Sequence, residues 1–467
     1  MAENDLGLIA HLMRRAGFGA TRAELAEYAA RGYEAVVEEL LHPERSPGID
    51  EDILQRYWDG ESINVAAGAW LYRMINSRRP LEEKIALFWH YVFATAWYKS
   101  EHVPSMVSQI AMFRRIGLTN LRTILLELSR DPAMIYWLDN NENRKGEPNE
   151  NYGRELLELF SMGVGNYSET DIKMAARAFT GWTFRQPIPL YPYGFYPAEF
   201  VYRADDHDDG VKTFLGHTGR LGGEDIVDII VQQPATARFV ARHLYNFFVA
   251  DEPQVPAWYE VPPQDPAAIQ TLVRAYVDSG GDVRAMLRVL FNAEFFKAAR
   301  SRKLKSPAEL VVGTVKLVGT HRFPEAGLLE LEAATIAMGQ QIMNPPTVEG
   351  WHTGKEWIDG GTLNERVNFA VNQLADPEKP GLQEIVGRLS ARAGASGGAL
   401  SPEQFVDGCL ELVGPLELGG ETRRVLLDAA ASDGALGFAS DEERRQSAAR
   451  VSRMLQLVVA SREYQLA

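Results

Sequence analysis

Between residues 147 and 182 the chain reads EPNENYGRELLELFSMGVGNYSETDIKMAARAFTGW. At about 100° per residue, a helix starting at Asn149 places Asn151, Arg154, Glu155 and Glu158 in one arc, with Tyr152, Leu156, Leu159 and Phe160 opposite. Past a Gly-rich turn, Lys173, Arg177 and Thr180 line one stripe of a second helix, across from Ala175, Ala178 and Trp182. If the two helices close with these stripes facing, Arg177 meets Glu155 or Glu158. The arginine would hold one carboxylate as an anion and leave the other to carry a proton near neutral pH, the division that acid–base hydrolysis requires. Asn149 and Asn151, behind Pro148, can cap the helix and leave its first N–H groups for an anionic group. The competing reading is an amphipathic hairpin whose charges stand in water.

A second constellation is Glu83 and His90, seven residues apart on one helical face, with Trp97 seven further and Ala86, Leu87 and Ala94 as apolar neighbours. A charge in such surroundings needs a partner, and a His–carboxylate pair would hold one imidazole tautomer for proton transfer. The alternative is a core histidine with a structural role. His207 and Asp208, followed by Lys212, form a polar loop cluster that could hold a divalent metal; His217 is the one nearby imidazole to complete it, and turn chemistry is the other account. His243, between Phe239 and Phe247, reads as core. Gln340, Pro345, Pro346, Trp351, His352, Trp357 and Arg366 make an aromatic, proline-stiffened stretch. With Trp182 they suit stacking on sugar rings or ordinary packing, while Asn364 and Arg366 could anchor an anionic group or cap a helix.

Familiar catalytic signatures are missing. GASGG at 394–398 matches a nucleophile elbow in letters only, because no strand precedes it. GWHTGK at 350–355 falls one residue short of a P-loop. There is no HExxH, no CxxC and no dinucleotide fingerprint, and no cofactor is expected beyond the metal alternative. The 467 residues carry a formal charge of -15, which argues against nucleic acid and anionic membrane surfaces. Cys409 stands alone, so neither an internal disulfide nor a thiolate cluster can form. No apolar run reaches the length of a membrane helix. The opening MAENDLGLIAHLMRR lacks a basic signal-peptide start, so the expected location is cytoplasmic, or periplasmic or extracellular for a mature form.

The elements that must position these residues are helical. Thr21 and Glu24 spell a capping box, Ser168 and Asp171 cap the second hairpin helix, and Pro80 opens an apolar helix expected to be buried. Helical patterns also cover about 102–130, 223–250, 266–299, 306–320, 327–343 and 364–375. The expected architecture is mainly α: a main helical domain over 1–390, a linker over 391–404 and a small C-terminal helical lobe over 405–467. A Tyr/Pro/Gly-rich irregular insertion with short strands occupies 183–221.

Seven segments in order resemble the bacterial domain-of-unknown-function family numbered 1800: HLMRRAGFGAT at 11–21, EKIALFWHYVFAT at 83–95, DPAMIYWLDN at 131–140, the hairpin at 148–182, HDDGVKTFLGHTG at 207–219, KSPAELVVG at 305–313 and MGQQIMNPPTVEGW at 338–351. The resemblance implies a mostly helical fold, a bacterial origin, frequent export on a twin-arginine signal and a sulfatase-like partner encoded nearby. This chain departs from that pattern in lacking the signal, and the family brings no activity whose residues could be carried over. The residues themselves point to a hydrolase or lyase acting on a glycan-like or other polar small-molecule substrate. A helical interaction protein and a metal-dependent enzyme at His207 and Asp208 are the alternatives.

Overall fold

A computed structural model describes residues 3–56, 62–187 and 196–467; residues 188–195 of the Tyr/Pro-rich tract lie outside them. The fold is mainly α, with 24 α-helices among the described residues. Their starts follow local chemistry. Capping boxes form at Thr21 with Glu24, Ser168 with Asp171, Ser306 with Glu309 and Ser401 with Gln404, each satisfying helix-end donors that would otherwise lack partners. The Pro80–Val92 helix is buried at every position but Glu82, as its continuous apolar surface demands. It packs against the Ile63–Asn76 and Val103–Ile116 helices. An aromatic column runs from its end, with Trp89 stacked on Phe93 at 4.9 Å and Phe93 edge-on to Phe160 at 5.5 Å. The hairpin therefore rests directly on the central core.

A buried ionic knot ties three distant segments together. Glu309, near the start of the Pro307–Val318 helix, receives both Arg15 and Lys84. Arg15 also donates to the Phe248 carbonyl at 3.1 Å, and Lys84 to the Gly17 carbonyl at 2.9 Å. Charges this deep persist only when paired and hydrogen-bonded.

Among the described residues strands are few and short, all in two-stranded antiparallel sheets. Trp182–Arg185 pairs with Glu199–Tyr202, and Lys212–Phe214 with His217–Gly219, which places two sheets in the expected insertion. The third, Ala399–Leu400 with Leu436–Gly437, lies near the C-terminal end. Within residues 391–404 the Pro380–Ala395 helix ends, one strand of the third sheet forms, and the Pro402–Leu412 helix starts. The Asp441–Ala460 helix packs on Gly360–Gln373, and Ser452 donates to the Leu374 carbonyl at 2.6 Å. No helix among the described residues is long and apolar enough to cross a membrane.

Candidate functional site

The hairpin forms as the Asn151–Glu158 and Glu169–Ala178 helices. Asn149 lies just before the cap position, its Oδ1 accepting the Asn151 N–H at 2.9 Å, while Asn143 Oδ1 accepts the N–H of Asn149 at 3.0 Å. The Asn151 amide reaches Asp139 at 3.5 Å, and Lys99 binds the other oxygen of Asp139 at 2.6 Å. Both asparagines thus organise the start of the helix, with Asn149 bordering an open polar hollow of about 950 Å³.

Gly153 sets how the two helices meet. A Cβ there would lie 3.0 Å from the Ala176 nitrogen and 3.2 Å from the Ile172 carbonyl. The contact face of the second helix is therefore Ile172, Ala175 and Ala176, and the stripe with Arg177 turns away from the first helix. The expected pairing of Arg177 with Glu155 or Glu158 does not form. Arg177 instead grips Asp208 with both arms of its guanidinium, at 2.7 and 3.2 Å, and holds that carboxyl down to about 2. The outward Arg154 makes the bidentate pair across the hairpin, to Glu169 at 2.9 Å for each bond.

The His207–Asp208 cluster proves to be a clip for the insertion. His207 is buried, its Nδ1 at 2.9 Å from the Thr180 carbonyl. The N–H of Asp208 donates to Thr180 Oγ1 at 2.8 Å, and Lys212 donates to the carbonyls of Asp208 and Gly210. Both carboxylate oxygens of Asp208 face Arg177 and His217 stands exposed, so the expected metal donors are not gathered. No group of three or more His, Cys, Asp or Glu suited to a metal occurs among the described residues.

Glu83 and His90 are both buried, at 1% and 0% exposure, but they do not pair. Seven residues of helix separate them by about 10 Å along the axis, and Trp70 fills the gap. Glu83 accepts from Trp70 Nε1 and from Arg114 Nε, each at 2.9 Å. His90 lies between the rings of Trp70 and Trp351, at 5.8 and 5.2 Å, with neither ring nitrogen hydrogen-bonded. Burial pushes its pKa down to about 3, so the ring is neutral and apolar in role. The expected His–carboxylate pair is absent, and His90 has no hydrogen-bonded partner.

The expected ligand contacts Trp182, Gln340, Trp351 and Arg366 are likewise interior. Trp182 packs between Phe179 and Phe200 at 5.1 and 5.3 Å. Gln340 Oε1 accepts the Ala308 N–H at 2.9 Å, finishing a helix start. Arg366 donates to Gln465 at 2.9 Å and to the Lys305 carbonyl at 2.7 Å. All four are nearly without exposed surface, because they seal junctions between helices.

Glu155 and Glu158 remain. Glu155 is half-buried, and among the described residues no hydrogen bond or ion pair reaches its carboxyl. Burial, then the charge of Glu158, push its pKa up to about 7 against the opposing pull of Arg154, with a lesser push from Glu349. Glu158 accepts the Tyr167 hydroxyl hydrogen bond at 2.9 Å. Glu349 arrives on a loop laid over the end of the Pro80–Val92 helix: Gly350 has φ +89, and a Cβ there would sit 2.8 Å from the Tyr91 carbonyl. That loop is anchored by the N–H groups of Trp97 and Tyr98, bound at 3.0 Å each to the Met343 carbonyl and the Asn344 side chain. Three separate segments thus bring Glu155, Glu158, Tyr167 and Glu349 into one polar neighbourhood. Sequence reasoning missed Tyr167 and Glu349. Their one signal was position, Tyr167 just before the Ser168 cap and Glu349 inside the segment 338–351.

The family model described as "Protein of unknown function (DUF1800)" matches residues 11–466, and the chain belongs to that family. No curated protein and no solved structure matches it.

Proposed function

We propose that the protein is an acid–base enzyme, a hydrolase or lyase for a glycan-like or other polar substrate, centred on Glu155 and Glu158. The observation that carries this reading is the half-buried carboxyl of Glu155, which has no hydrogen-bond or ion-pair partner among the described residues while two further carboxylates lie within electrostatic reach. Glu83, Glu252 and Glu309, by contrast, are paired, and Glu332, raised in the same way by burial, has no second carboxylate acting on it. An unpaired carboxylate is available to give and take a proton near neutral pH, where such a group works best. Glu158, oriented by Tyr167, is the second carboxylate, and Arg177 has no part in the chemistry.

The test is a screen of the purified chain against chromogenic glycosides, esters and polyuronides, with and without chelator. Glu155→Gln and Glu158→Gln should abolish any turnover found, and Arg177→Met should retain it. Turnover that survives Glu155→Gln would remove the basis of the reading. A second reading, an interaction protein serving a sulfatase-like partner, draws support from the scattering of Arg177, Glu83 and Arg366 into structural contacts. Pull-down with such a partner, unaffected by Glu155→Gln, would favour it.

A further inference from the structure

Away from the hairpin, a cavity of about 60 Å³ lies between the Glu3–Arg15 and Pro307–Val318 helices and the chain's last residues. Arg14, Lys305 and Lys316 line it, together with Glu309, Gly313 and Tyr464. The lining is cationic in a chain whose formal charge is -15. The Arg14 guanidinium makes no hydrogen bond or ion pair among the described residues, and its Nε is wholly buried without a partner. Lys316 has neither as well. Lys305 donates to the Tyr464 carbonyl at 2.6 Å and sits 4.0 Å from that ring's centre, with no carboxylate paired to it.

The side-chain carboxylates that act on these cations are engaged elsewhere. Glu309 holds Arg15 and Lys84. Glu24, the acid acting on Lys316, is turned to the Thr21 N–H at 2.7 Å. Glu417, the acid acting on Arg14, is paired with Arg300 at 3.1 Å. Burial accordingly presses Lys305 down to about 7 and Arg14 down to about 10. Half-buried charges left in this state lack a side-chain counter-ion. The available space suits a few water-sized groups, the bulk of a tetrahedral oxyanion.

We propose that this cavity binds such an oxyanion, phosphate or sulfate, held by Arg14, Lys305 and Lys316. The oxyanion could be the free ion or the anionic end of a larger molecule. Arg14 also borders a crevice of about 1070 Å³ with room for the remainder. The crevice arginines Arg22, Arg300, Arg392 and Arg423 are already paired, with Glu411, Glu417 and Asp407, which leaves Arg14 as the recognising group.

The test is calorimetric titration and thermal melting of the full chain with sodium phosphate, sodium sulfate and glycerol 3-phosphate, at ionic strength held constant with chloride. The proposal expects saturable binding of at least one of the three, with a matching rise in Tm. Arg14→Gln and Lys316→Gln should each weaken it by about tenfold, the loss of one charge-assisted contact. Arg423→Gln, removing a paired arginine from the same crevice, should leave the affinity within about twofold. Binding of phosphate or sulfate but not the ester identifies the free ion, and preference for the ester identifies a larger molecule. No saturable binding by any of the three, or affinity unchanged in both Arg14→Gln and Lys316→Gln, overturns the proposal.

Discussion

Glu155→Gln separates a catalytic carboxylate from a structural one, because the two differ in the sign of their effect on stability. In the folded protein the Glu155 carboxyl is raised from its ordinary 4.5 to about 7, chiefly by burial. A fully shielded group would carry an ionisation penalty of about 3 kcal/mol at high pH. Water reaches part of this side chain, and screening reduces the figure to about 1–2 kcal/mol. A raised carboxyl favours the fold fully below pH 4.5, and that contribution disappears as pH rises through 7. Glutamine has no charge to bury, so the variant should match the parent near pH 4.5 and exceed it by about 1–2 kcal/mol at pH 8. At about 2.1 cal/mol/K per residue, a chain of this length converts that gain into only about 1–2 °C of Tm. Urea unfolding at the two pH values is therefore the better assay. A gain in stability that accompanies loss of turnover is the mark of a site held under strain for function. A variant less stable than the parent at pH 8 would refute the reasoning, since Glu155 would then be an ionised, supported structural group.

Three further outcomes follow from the contacts. Glu309→Gln should lower stability by about 3–5 kcal/mol, because it strands Arg15 and Lys84 in the interior; the Glu309 carboxyl is held well below the ordinary 4.5 by these cations against burial, so the same stability in the parent should fade as pH falls below 4.5, which acid-unfolding curves of both proteins can check. His90→Leu should change unfolding free energy by no more than about 1 kcal/mol, since no bonded partner is orphaned; a loss of about 3 kcal/mol would show that the ring nitrogens are engaged. Arg177→Met should lower stability by about 1 kcal/mol, its pair with Asp208 being partly exposed, and should speed amide exchange in residues 208–212 while sparing turnover.

Features legible in the sequence were those decided within one or two helical turns. Thr21 with Glu24 and Ser168 with Asp171 need only a three-residue spacing, and both boxes form. The burial of Glu83 and His90 followed from a helix apolar on nearly every face. Their partners did not follow, because Glu83 and His90 stand about 10 Å apart along the helix and a neighbour on another helix, Trp70, supplies the donor to Glu83. Arg366 meets Gln465, 99 residues away, and Gln340 meets Ala308, 32 away. Neither spacing leaves a periodic trace.

The sequence by itself determined that the chain is mainly helical, where the capped helices after Thr21 and Ser168 begin, that the Pro80–Val92 helix is buried, and that Glu155 and Glu158 share a helical face. Hydrophobic periodicity and capping are local, and they act before any tertiary contact exists. Only the tertiary structure decided which groups those faces meet. The close approach at Gly153 rotated Arg177 onto Asp208, and the turn at Gly350 carried Glu349 within electrostatic reach of Glu155. A helix face can be read from period alone, but its rotation against a neighbour depends on side-chain volumes at the crossing, and those come together only in the packed core.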